Sequence, residues 1–240
     1  MYKVCAILGV GPGNGLSFAH RFANAGYKVA LCARTLDRVT SMASSIGDAA
    51  RGYSIDVTDD ESVHRTLEAI AHEQGPVETL IYNAGNARWG NVDAIKAGEL
   101  LTRFDVNAAG LIRSVQAVLP AMRLAGGGNI IVVGAGAALR GRPDTLGFAA
   151  AKAAQRSICQ SLARQLGPEG THVAFLVLDG VVDISSTMQR MADKPQDFFL
   201  SAAGVADAAF EQGQPSRRLR SNPRRSLHSA NPTHELRQMF

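Results

Sequence analysis

Short apolar runs and helically spaced apolar positions alternate along this chain from residue 3 to about residue 178. Residues 3–9 (KVCAILG) form an apolar run stopped by glycine, the pattern of a parallel strand buried on both faces. Leu16, Ala19, Phe22 and Ala23 then recur at helical spacing, and Gly26 follows as a C-terminal cap would. The same alternation predicts a strand over 27–33, a helix over 37–46 and a short strand over 52–55. A further helix, capped by Asp59 or Asp60, runs to about Gln74, where Gly75-Pro76 stops it. Then come a strand over 79–83, one long or two abutting helices within 99–124, a strand over 129–134, a helix over 147–166 and a strand over 172–178. A last short helix is read over 204–211. Short connections between alternating strands and helices argue for an α/β fold: a doubly wound parallel sheet of six to seven strands with helices on both faces. In such a sheet the ligand sits beyond the carboxyl ends of the strands, where the strand order reverses.

Composition narrows this little. With 240 residues, 46% hydrophobic, the chain can close one good-sized core, and a single domain over 1–211 is expected. No run approaches the length of a membrane span, and the amino terminus lacks a basic segment with a cleavage site. Cys5, Cys32 and Cys159 are odd in number and lie inside apolar segments, so they read as small buried hydrophobes in a reducing cytoplasm. No metal-ligand spacing is visible. The formal charge of +4 sits in residues 211–240, where six arginines face two glutamates. Residues 212–240 show no period of either kind and read as a loose basic tail. Clustered arginine permits nucleic-acid binding, but without interleaved aromatics or one helical face such a partner is disfavoured.

Candidate chemistry begins at LGVGPGNGL, residues 8–16. A tight connection alone would use such glycines. Placed between an apolar strand and an amphipathic helix, Gly9, Gly13 and Gly15 favour a dinucleotide, whose pyrophosphate the helix amino terminus would face. At the end of the second strand an NAD site normally presents a carboxylate to the ribose diol. Here Arg34 stands there and the next acid is Asp37. A guanidinium fork suits a 2′-phosphate, so NADP(H) is favoured over NAD(H), the alternative being a solvated loop arginine.

With these residues in place, the chain resembles the short-chain dehydrogenase/reductase family over about residues 3–200. Its glycine spacing is similar to the family motif, with Leu8 where a threonine is usual and Leu16 following the last glycine. Asp56-Val57 resembles the adenine-contacting pair, and Tyr82-Asn83-Ala84-Gly85 matches Asn-Asn-Ala-Gly except at its first position. The resemblance implies a Rossmann-type domain, a small-molecule substrate, homodimers or homotetramers, a cofactor contact at Gly180, and catalytic roles for Asn107 and Lys152. In the family a serine polarises the substrate carbonyl, a tyrosine moves the proton, the lysine binds the nicotinamide ribose, and the asparagine holds a water that extends the relay. Ala135 occupies the serine position and Phe148 the tyrosine position. Ile184 stands where a carboxamide-contacting threonine is common. Asp179 and Asp183 are candidate replacement acids or loop caps. Tyr82 is expected to pack. Arg140 and Arg142 border the substrate cleft, and Trp89 shapes the cleft or packs. His20, His64 and His72 are given no role.

Two readings follow. One is an NADP(H)-dependent oxidoreductase acting on a carbonyl, alcohol or enone with an altered proton relay. The other is a cofactor-binding sensor or partner subunit without turnover.

Overall fold

The structure is a computed structural model that describes residues 3–213. Six parallel strands form the central sheet: β1 (Val4–Leu8), β2 (Lys28–Ala33), β3 (Ala50–Ser54), β4 (Val77–Tyr82), β5 (Gly128–Val133) and β6 (Thr171–Leu176), in the order β3-β2-β1-β4-β5-β6. The order reverses at β1, which pairs with β2 on one side and β4 on the other. Leu8 lies level with both Cys32 and Tyr82, so the ends of three strands open at one height beside the switch point.

Both faces of the sheet are covered, which is why the strands read as continuous apolar runs. On one face Ala6, Leu8, Leu80, Tyr82, Ile130 and Val132 pack with residues of α3 (Asp60–Glu73), α5 (Gly110–Leu124) and α6 (Leu146–Leu166). On the other Cys5, Ile7, Leu31, Ile81 and Val133 meet α1 (Asn14–Asn24), α2 (Leu36–Ser44) and α8 (Ala202–Gln212). All three cysteines are buried and unpaired. The closing helix α8 is pinned to α1: the Phe22 and Phe210 rings meet edge-on at 5.2 Å, Arg21 lies 3.7 Å above the Phe210 ring, and its Nε donates to Asp207 at 2.6 Å. Such stacking adds to simple area burial.

Local details follow the chemistry of single residues. Asp59 is the residue that caps α3, accepting from Glu61 N at 3.0 Å. Of the two arrangements expected within 99–124, the structure has two abutting helices: α4 (Ala97–Phe104) passes through a π-helical turn (Asp105–Ala109) into α5. Two short strands, β7 (Val181–Val182) and β8 (Phe199–Leu200), flank the small helix α7 (Ser185–Arg190) and pair only with each other. At two residues each they are too short for periodicity to reveal. The basic tail lies outside the described residues apart from Gln212, which ends α8, and Gly213, which caps it.

Candidate functional site

At the switch point Gly9 turns with φ +87°, and Gly9 N and Val10 N both donate to Cys32 O, at 2.8 and 3.0 Å. A Cβ at Gly9 would stand 2.5 Å from the main chain of Ala84, so only glycine lets the turn and the Asn83-Ala84-Gly85 segment lie this close. Asn83 fastens the two: its N donates to Leu8 O at 2.9 Å and its Nδ2 to Gly9 O at 2.7 Å. Gly15 brings α1 against Val10, whose Cα would be 2.7 Å from an added Cβ. Leu16 N donates to Gly11 O. Gly13 is covered by Ile184, whose methyl fills the space a side chain would take.

Beside this turn, Arg34 is exposed just past β2. Asp56 accepts from Thr58 N at 2.9 Å and Thr58 Oγ1 at 2.7 Å. Those bonds hold its carboxyl below the usual range, with the Arg34 charge helping. Val57 is buried next to it. Arg38 on α2, which the sequence reading passed over, donates from Nη2 to Val10 O at 3.1 Å. Its position in the first turn of a helix gave no signal, since only the fold brings it back to the glycine turn.

At the other end of the cleft the π-helical turn carries Asn107, which is fully buried. Its Nδ2 donates to Arg103 O at 3.0 Å, and its Oδ1 has no partner. Lys152 reaches inward from α6 and donates from Nζ to Val133 O at 2.9 Å and to Gln155 Oε1 at 2.8 Å. The Gln155 amide in turn donates from Nε2 to Asn107 O at 2.7 Å. Gln155, also fully buried, is a second residue that the sequence reading missed. Its only signal was a polar residue at an inward helical position. Burial pulls the Lys152 ammonium down to about 8, against a smaller opposing pull from Cys159. A Cβ on Gly85 would stand 3.2 Å from Asn107 Oδ1 and 3.7 Å from Lys152 Nζ, so the three residues meet at one point.

Ala135 and Phe148 line one cavity of about 340 Å³, with Trp89, Leu178, Gly180 and Phe198 on its walls. The Phe148 ring centroid is 6.0 Å from Lys152 Nζ. Trp89 is 60% exposed, so it belongs to the wall of the cleft and not to the core. Across the rim Arg140 Nη2 donates to both oxygens of Asp179, at 2.9 and 2.7 Å. Asp183 accepts from Ala202 N at 2.7 Å and thereby serves the start of α8. The Thr145 hydroxyl donates to Arg142 O at 3.2 Å. Tyr82 is fully buried beneath the π-helical turn, where its hydroxyl donates to Val106 O. Burial raises that hydroxyl well above an ordinary phenol. His20, His64 and His72 are exposed on α1 and α3. Among the described residues no cluster of His, Cys, Asp and Glu could hold a metal ion, and no helix is long and apolar enough to cross a membrane.

The arrangement fits a nicotinamide dinucleotide. The glycine turn offers close main-chain approach at one end. At the other, the space left by Gly85 faces an unpartnered buried acceptor, Asn107 Oδ1, and the Lys152 ammonium. A hydroxylated ribose has the donor and acceptor such a pair requires.

Comparison with known proteins agrees. The short chain dehydrogenase family model matches residues 3–196. A galactitol 2-dehydrogenase of Agrobacterium fabrum is 34% identical over 182 residues, 75% of this chain and 71% of that protein. Among solved structures, a gluconate 5-dehydrogenase from Burkholderia cenocepacia in complex with NADP and tartrate superposes with a TM-score of 0.79 at 22% identity, over 88% of each chain. An NADPH-bound short chain oxidoreductase from Pseudomonas aeruginosa PAO1, described as containing an atypical catalytic centre, gives 0.82 at 22% identity over 90% of this chain and 93% of that one. By its sheet order, its glycine turn and these matches, the chain belongs to the short-chain dehydrogenase family of oxidoreductases.

Proposed function

We propose that this protein binds NADP(H) and carries out redox chemistry on a small carbonyl, alcohol or enone substrate without the family's hydroxyl relay. Gly9, Gly13, Gly15 and Leu16 would face the pyrophosphate; Asp56, Val57, Asn83 and Ala84 the adenosine half; Gly85, Gly180 and Lys152 the nicotinamide half. Arg34 and Arg38, on the same side of the glycine turn, would take the 2′-phosphate. The two NADP- or NADPH-bound neighbours support this preference. When bound, the cofactor supplies a hydride.

The observation that carries the reading is the pair Ala135 and Phe148 on one cavity wall, next to a retained Lys152 and Asn107. An alkoxide forming there meets a methyl group and an aromatic ring. Positioned acid catalysis is worth roughly 10² to 10⁴ in rate, so simple ketone reduction should be slow. Two polar groups of the cleft are already engaged: Asp179 by Arg140 through both oxygens, and the Thr145 hydroxyl by Arg142 O. On this reading the proton comes from solvent entering the open cleft or from the substrate itself.

That same lack of a donor favours the second reading, a cofactor-binding protein without turnover, and one series separates the two. Titration should show NADPH binding more tightly than NADH, and Arg34→Ala should narrow the difference by roughly tenfold. A panel of ketones and enones then reports NADPH consumption by the native chain and by Ala135→Ser/Phe148→Tyr. Slow consumption by the native chain and faster consumption by the double variant support the oxidoreductase. Consumption by the double variant alone supports the silent binder. No binding of either cofactor by folded protein removes both.

A further inference from the structure

We infer that Gln155 is a positioning residue that fixes the Lys152 ammonium in place and separates it, on the Asn107 side, from the proton traffic of solvent. The bridge is closed at both ends: Lys152 Nζ donates to Gln155 Oε1 at 2.8 Å, and Gln155 Nε2 donates to Asn107 O at 2.7 Å. The orientation of the amide is dictated by its neighbours. An ammonium only donates and a main-chain carbonyl only accepts, so the oxygen must face Lys152 and the nitrogen must face Asn107. A second N–H of the ammonium goes to Val133 O at 2.9 Å, at the end of β5. All three residues are buried: Asn107 and Gln155 are 0% exposed and Lys152 is 6% exposed.

The chemistry of the bridge differs from that of water or a hydroxyl. A water oxygen accepts one proton and releases another, so a chain of waters passes charge along. A carboxamide accepts at oxygen and donates at nitrogen, and passing a proton through it would require the unfavourable imidic-acid tautomer, so it relays protons far less readily than water. The bond between Gln155 and Lys152 therefore positions the ammonium without feeding it. Asn107, which the family resemblance assigns to a water-holding step, has its main-chain oxygen bound to the same amide. Gln155 thus joins Ala135 and Phe148 from deeper in the fold, about two turns beyond Phe148 on α6 and facing inward.

This inference predicts the exchange behaviour of a single ammonium group. In the full-length chain without cofactor, the Nζ protons of Lys152, assigned by their loss in Lys152→Arg, are followed by proton–nitrogen NMR in slightly acidic buffer. They should exchange with water at least about tenfold more slowly than those of exposed lysines such as Lys96, as expected for protons held in buried hydrogen bonds. Gln155→Ala makes room for water and should accelerate exchange about tenfold or more while the amide spectrum stays folded. If that variant does not fold, Gln155→Ser, which keeps a small polar group able to pass protons, should show the same acceleration. Fast exchange in the native protein overturns the inference, as does unchanged exchange in a folded Gln155 variant. The consequence for catalysis rests on the function proposed above. The exchange experiment uses no cofactor, so its failure would leave the cofactor proposal standing and the reverse also holds.

Discussion

Tyr82 shows how a single side chain serves the site without touching a ligand. Its hydroxyl ties β4 to the carbonyl of Val106, one residue before Asn107, and Gly110 has no Cβ because one would stand 2.5 Å from that hydroxyl. The phenol is thus a strut under the π-helical turn. Tyr82→Phe leaves the Val106 carbonyl without that partner and should cost about 1 to 2 kcal/mol in denaturant melts. Lys152 makes a second residue-scale prediction, through pH. Its folded-state value of about 8 lies below the 10.5 of an exposed lysine, so between these values the unfolded chain holds the proton more firmly. The charge therefore costs the folded state stability below about 8, and that cost is relieved as pH rises toward 10.5. The stability difference between the native protein and Lys152→Met should shift in favour of the native protein across that window. Equal slopes for the two proteins in urea melts would show that the lysine is not desolvated.

The elements differ in how clearly the sequence announces them. β1, β2, β5 and β6 are apolar runs bounded by turn residues, and α1 and α3 carry period and cap together, so their places could be read within a few residues. The π-helical turn could not. Residues 105–109 (DVNAA) have ordinary helical composition, and the extra residue in the turn is set by what lies beneath, the Tyr82 hydroxyl and the close contact of Gly110 with Val57. Such turns recur at functional sites, and this one carries the buried Asn107. The site was legible in the same uneven way. Gly9 announced itself by its place between an apolar strand and a helix, and Asn83 and Lys152 by the family resemblance. Arg38 and Gln155 did not, because each acts on a residue 28 or 48 positions away, and only packing determines that meeting.

At the scale of the molecule, the parallel sheet gathers the strand-borne candidates Gly9, Arg34, Asn83 and Ala135 at the carboxyl ends of its strands. The two halves of the cleft lean on opposite faces: α2 brings Arg38 from one layer, α6 brings Lys152 and Gln155 from the other. Under the proposed function, the adenosine end and the reacting end would thus rest on different layers. Gly52 illustrates how far from the cleft an adjustment can begin. It lies in the edge strand β3, and a Cβ there would stand 2.6 Å from Thr40 N and 2.7 Å from Val39 C, so the missing side chain lets α2 rest on the bare strand. Two residues before Thr40 on that helix is Arg38. Gly52→Ala should lift α2 outward and loosen the grip of Arg38 on Val10 O, weakening NADPH relative to NADH while leaving Lys152 exchange untouched. On the cofactor preference proposed above, discrimination between the two carriers would then be tuned partly from the edge strand, much as the height of a bridge bearing decides whether the span above it closes.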